Sequence, residues 1–151
     1  MLKNKLNSAE EQLTELSLEK EKYVRDFETQ SASYKTMAEE MAVVMQPENK
    51  KIMLKGLDAA PQAMAAVYWN QNTKDVYINV SSLPSPSADQ QYQLWAIVDG
   101  KPIDAGLFDM NSTSLHKMKT IEGAQAFAVT LEKKGGSPTP TMTAMYLMGN
   151  V

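Results

Sequence analysis

LKNKLNSAEEQLTELSLEKEKYVRDFETQSASYKTMAEEMAVVMQ, residues 2–46, decides how the chain is organised. Alternating steps of four and three residues from Leu2 fall on Leu6, Ala9, Leu13, Leu16, Lys20, Tyr23, Phe27, Gln30, Tyr34, Met37, Met41 and Val44. All but Lys20 and Gln30 are apolar or aromatic, a seam that a chain of 43% hydrophobic residues does not hold over six heptads by chance. No proline or glycine interrupts before Pro47. The pattern predicts a helix of about 65 Å, and a coiled coil in preference to a lone surface helix.

With Leu6 as an a position, Lys20 is also an a and Gln30 a d. Polar residues in a seam cost stability and set register and oligomer state, favouring two strands over a larger bundle. Lys5 at g and Glu10 at the following e can pair across parallel helices. The expected assembly is therefore a parallel homodimer, with Leu6, Leu13, Leu16, Lys20, Tyr23, Phe27, Gln30, Tyr34, Met37 and Met41 as its oligomerisation residues. The competing reading packs the stripe on the chain's own second half, but a helix of about 65 Å overshoots a domain of roughly 100 residues, whose radius of gyration is about 13 Å. The methionine-rich end, Met37, Met41 and Met45, reads more readily as apolar filler than as a promiscuous binding surface.

Outward from Pro47, which cannot continue the helix, Glu48 to Lys51 form a short polar junction. Eight runs with strand character follow: Ile52–Leu57, Ala63–Trp69, Val76–Val80, Tyr92–Val98, Ile103–Phe108, Leu115–Ile121, Ala126–Glu132 and Met142–Met148. Val76, Ile78 and Val80 alternate with Tyr77 and Asn79, and Phe127, Val129 and Leu131 with Ala128 and Thr130, as half-buried strands do. Asn70–Lys74 and Asp99-Gly100 read as hairpin turns, and Ser81–Ser87, with Pro84 and Pro86, as a surface loop. The expected architecture is mainly β: an immunoglobulin-sized antiparallel β-sandwich over residues 50–151, preceded by a coiled-coil stalk over residues 2–46.

Composition excludes several functions. A net charge of -3 and a pI near 5.2 speak against a general nucleic-acid partner. The absence of cysteine removes thiol catalysis, disulfides and thiolate metal sites. The longest apolar run, Ala63–Trp69, falls well below the roughly 20 residues that span a bilayer, and no apolar segment follows Met1–Leu6 as a secretory leader requires.

The candidate chemistry is thin. His116 is the only histidine, too little for zinc without several carboxylates. Ser114, His116 and Asp109 make a triad on paper only, with no Gly-x-Ser-x-Gly elbow. Asp99, Asp104 and Asp109 match no EF-hand spacing. Asn79-Val80-Ser81 and Asn111-Ser112-Thr113 fit a glycosylation sequon, a pattern that arises easily by chance. No catalytic residue, metal or cofactor is expected.

One constellation is specific. Gln91-Tyr92-Gln93-Leu94-Trp95, then Asp99-Gly100-Lys101-Pro102-Ile103-Asp104-Ala105-Gly106-Leu107-Phe108, then Ala128-Val129-Thr130-Leu131-Glu132, then Gly135-Gly136-Ser137-Pro138-Thr139-Pro140-Thr141 together resemble the C-terminal domain of the anti-sigma-K factor family, over about residues 50–151. The resemblance implies the extracytoplasmic part, periplasmic or cell-surface, of a bacterial membrane-anchored anti-sigma factor. In that family a cytoplasmic segment sequesters a sigma factor, one helix crosses the membrane, and signal-dependent proteolysis frees the sigma factor. This sequence lacks both the sigma-binding segment and the membrane helix, so by itself it is not expected to bind sigma. Its helix would then be the stalk between membrane and β-domain. Of the motif residues, Tyr92, Leu94, Trp95, Gly106, Phe108, Gly135, Gly136, Pro138 and Pro140 read as structural: aromatic anchors, a bulge or close strand approach at Gly106, and a rigid turn from Gly135 to Thr141. The alternative, from another functional class, is a cell-surface adhesion or carbohydrate-binding module on a coiled-coil stalk.

Overall fold

Leu, Glu, Lys, Ala and Met, all strong helix formers, fill most of residues 2–45. They form one uninterrupted helix, α1 (Leu2–Met45). It stops two residues before Pro47, and the Asn49 side-chain amide donates to the Val43 carbonyl at 2.6 Å, satisfying one acceptor that the last turn leaves open. The structure is a computed structural model that describes residues 1–110 and 115–151. The chain divides into two compact units, Met1–Ala42 and Val43–Val151. No residue of α1 is buried; Leu13, Phe27 and Met41 are 69%, 70% and 65% exposed.

Among the described residues the second unit is built on eight strands: β1 (Asn49–Gly56), β2 (Met64–Asn70), β3 (Val76–Ser82), β4 (Gln90–Val98), β5 (Lys101–Phe108), β6 (Leu115–Lys117), β7 (Ala126–Lys133) and β8 (Met145–Asn150). Every pairing is antiparallel. Asp99 and Gly100 have φ of 50° and 75°, the left-handed conformations a two-residue hairpin demands between β4 and β5. At the β2–β3 turn the Asn70 side-chain oxygen accepts from the Asn72 and Thr73 amides, and Lys74 takes a φ of 66°.

Two segments differ from the periodicity. Only Leu115–Lys117 of the run ending at Ile121 is strand, because Met118, Lys119 and Ile121 send their amides to Val76, Ala105 and Lys74 in turn instead of along one neighbour. Met142–Ala144 is a 3-10 turn, so the last strand begins at Met145.

The strands form a single sheet, in the order β5-β4-β7-β8-β1-β2-β3-β6, in place of the two packed sheets that strand spacing suggested. Register shifts at Met64/Ala65, Leu94/Trp95 and Val129/Thr130 add local twist and bend. Small residues on the inner face, Ala63, Ala65, Ala96 and Ala105, let the walls approach closely. The sheet curls until its two edges nearly meet: the Lys119 amide, just past β6, donates to the Ala105 carbonyl of β5 at 2.9 Å. The result is nearly a barrel. Its interior holds Ile52, Leu54, Val67, Ile78, Leu94, Phe127, Val129 and Leu147, with Trp69 edge-on to Phe127.

Candidate functional site

β4 places alternate residues on opposite faces. Tyr92 and Leu94 enter the barrel. Tyr92 stacks on Phe108 at a centroid distance of 5.9 Å and meets Tyr146 edge-on at 5.7 Å, while its hydroxyl donates to the Pro84 carbonyl and pins the proline-containing loop. Burial, with the Tyr146 phenol adding to it, pushes the Tyr92 phenol up to about 12.

Gln93 and Trp95 point the other way, yet both are buried, Trp95 at 1% exposure. Besides the Gly135 amide, which donates to the Gln91 side chain at 3.1 Å, the Gly135–Thr141 segment supplies hydrogen bonds to this outer face at two further points. At the first, the Gln93 side-chain oxygen accepts from the Ser137 amide at 2.9 Å, and its amino group donates to the Ser137 carbonyl at 3.1 Å and to Asp104 Oδ1 at 2.9 Å. Gly135 and Gly136 both adopt positive φ, 93° and 85°, and a Cβ on Gly136 would lie 3.0 Å from the Gln93 side-chain oxygen and 2.9 Å from the Leu107 side chain. Glycine is required there because the loop lies against the strand.

At the second point, Trp95 Nε1 donates to Thr130 Oγ1 at 2.8 Å, and the Thr130 hydroxyl donates to Glu132 Oε1 at 2.7 Å. The same oxygen accepts from the Thr141 amide at 2.7 Å, and Glu132 Oε2 accepts from the Thr141 hydroxyl at 2.7 Å. Burial alone would raise the Glu132 carboxyl; these donors outweigh it and hold the group below its ordinary value. Asp104 follows the same logic: burial opposes ionisation, while Lys119, Gln93 and the Gly106 amide overcome it. The Gly106 amide bonded to Asp104 braces the point where β5 bulges, and Gly106 has a φ of 116°.

Between loop and strands lies a concavity of about 430 Å³, lined by Gln93, Asp104, Gly106, Lys119, Gly136 and Pro138 among others. Its polar side chains bond to one another, and among the described residues no buried side-chain nitrogen or oxygen lacks a partner. What the arrangement does is hold a loop to a sheet and a sheet edge closed.

The motif residues read from sequence thus separate: Tyr92, Leu94 and Phe108 lie inside, while Trp95, Gly106, Gly136 and Pro138 belong to the outer face and its loop. Gly135 donates its amide to the Gln91 side chain at 3.1 Å, and Pro140 immediately precedes the anchored Thr141. Sequence reasoning weighed Asp104 only as a calcium donor and did not single out Gln93, Lys119, Thr130, Glu132 or Thr141. The signal was present for three of them, since Gln93 in β4, two residues from Gln91, and Thr130 and Glu132 in β7 are polar residues two apart in otherwise apolar strands.

The other candidates stay apart. The His116 ring contacts Phe108 at 5.8 Å, and Asp109 accepts from the Gln91 amide at 3.0 Å. Ser114, the third member of the paper triad, and the Asn111-Ser112-Thr113 sequon lie outside the described residues. Asp99 occupies the β4–β5 turn, away from the Asp104–Lys119 pair. The other sequon residue, Asn79, sits in β3 opposite Ala66 and Leu115. Among the described residues no helix is long and apolar enough to cross a membrane, and no three His, Cys, Asp or Glu residues cluster as metal ligands.

Comparison with known proteins gives one result that covers most of the chain. No curated protein and no solved structure matches it. The profile of the family described as anti-sigma-K factor rskA, C-terminal, matches residues 11–144, taking in most of α1 as well as the β-unit to which the motif resemblance was confined. With the match spanning far more than half of its 151 residues, the chain belongs to the anti-sigma-K factor RskA C-terminal family.

Proposed function

We propose that this chain is the extracytoplasmic regulatory part of a membrane-anchored anti-sigma factor, with residues 2–46 as a dimeric coiled-coil stalk and residues 50–151 as the sensory and stability domain. The observation that carries the reading is the family match over residues 11–144, which runs through both parts. Sigma-factor release then follows signal-dependent proteolysis of the parent protein. A loop held to the strands by Gln91, Gln93 and Glu132 suits a domain whose folded state protects a neighbouring segment from cleavage. The motif residues serve that stability and not a reaction, so no cofactor or substrate enters.

The dimer rests on the heptad seam together with its exposure: Leu6, Leu16, Tyr23, Tyr34 and Met37 are all open to solvent in the single chain. Contiguous apolar surface of this extent marks an interaction site, and the heptad spacing fits a second copy of the same helix. Lys20 and Gln30 then set register at two layers.

Two experiments test the proposal. Sedimentation equilibrium at roughly tens of micromolar, a common affinity range for such contacts, is expected to show a dimer, and a strict monomer would refute the stalk. In the parent protein, a Glu132→Ala change is expected to raise transcription from the sigma-dependent promoter without an inducing signal. Unchanged transcription from a demonstrably destabilised domain would refute the protective role.

A further inference from the structure

Methionine usually fills irregular gaps inside cores, but eight of the eleven methionines here are exposed. Three of them, Met37, Met41 and Met45, stand at i, i+4 and i+8 on the last turns of α1, at 61%, 65% and 73% exposure. Residues four apart on a helix are neighbours, with Cβ atoms about 5–6 Å apart, and the methionine stem has three rotatable bonds with which to bring two sulfurs together. Thioethers are soft donors that select Cu(I) over harder cations. No cysteine competes for such an ion, and the single histidine, His116, packs against Phe108 in the β-unit.

One helix offers two neighbouring sulfurs. In the heptad register Met37 is a d residue and Met41 the following a, so a parallel second helix turns its own Met37 and Met41 toward the same axis. Four thioethers then occupy two adjacent layers. We propose that Met37 and Met41 of two chains form a thioether site for Cu(I), incomplete in either chain alone. The inference rests on the dimeric stalk proposed above and gives that stalk a ligand. Binding joins the two helices at the end nearest β1, and no electron transfer or bond cleavage is involved.

The test is an anaerobic titration of the whole chain with a Cu(I) acetonitrile complex, in competition with bicinchoninate, read together with sedimentation. One Cu(I) per two chains is expected. Met37→Leu/Met41→Leu/Met45→Leu keeps the seam apolar and is expected to remain dimeric while binding at least tenfold more weakly. A matched variant on the sheet, Met53→Leu/Met64→Leu/Met148→Leu, is expected to bind as the parent chain does. A dimer that withdraws no Cu(I) from the competitor overturns the metal site and leaves the stalk standing, as does equal binding by the helix variant or loss confined to the sheet variant. A chain that stays monomeric with and without Cu(I) overturns both.

Discussion

Replacing Glu132 with alanine removes the acceptor on which the loop and the strand network converge. Three donors lose their partner: the Thr130 hydroxyl, the Thr141 amide and the Thr141 hydroxyl, each at 2.7 Å. The two Thr141 groups belong to an exposed residue and regain water when released, so each costs about 1 kcal/mol. The Thr130 hydroxyl is fully buried and also receives the Trp95 indole; stranding it costs roughly 1–3 kcal/mol. The sum is about 3–5 kcal/mol, a large share of the roughly 5–15 kcal/mol that stabilises a typical domain. At about 4 °C per kcal/mol for a unit of this size, Tm falls by roughly 12–20 °C. Glu132→Gln keeps one acceptor oxygen and the shape, and is expected to cost about 1–2 kcal/mol. Urea unfolding followed by tryptophan fluorescence isolates the effect, because both tryptophans, Trp69 and Trp95, lie in the β-unit and none in α1. A loss below about 1 kcal/mol for Glu132→Ala, or equal losses for the two variants, would refute the view that an ionised carboxylate holds the loop.

Gly136→Ala meets both a left-handed φ and close contact with Gln93 and Leu107, so a loss of about 2–3 kcal/mol is expected; Gly135→Ala, with open space around its Cβ, loses about 1–2 kcal/mol from φ alone, and chemical denaturation ranks the two. Because the Asp104 and Glu132 carboxyls titrate below their unfolded values of about 4, their contribution is complete above that range and is lost as pH falls through the lower folded values. Denaturation between about pH 6 and pH 2 should therefore show falling stability, with a shallower fall in Glu132→Gln, and a parallel fall in both proteins would contradict the assignment. In the proposed dimeric stalk, Lys20→Leu combined with Gln30→Leu removes the polar seam layers; higher thermal stability with loss of a defined dimer is expected by light scattering, and an unaltered assembly would show that neither residue sets it.

The parts of this protein that are legible in its sequence are those whose physics is local. α1 spans Leu2–Met45 because helix-forming residues repeat without interruption and Pro47 stops them. The β4–β5 hairpin sits at Asp99-Gly100 because two successive left-handed residues need that chemistry. Most strand positions follow from alternation. The motif likewise identified the family on residues such as Trp95 and Gly136, without showing what those residues touch.

Tertiary structure alone decided that the strands form one curled sheet, since closure depends on bulges and on Lys119 reaching Ala105, contacts that no periodicity encodes. It also decided that Trp95, read from sequence as an aromatic anchor, is buried on the outer face of the sheet with its indole bonded to Thr130. Its partner Thr130 is 35 residues away, and Gln93 meets Ser137 across 44. A buried polar side chain must find its hydrogen-bond partner wherever the chain brings one, so the strand pattern records that such residues exist and only the fold determines whom they meet.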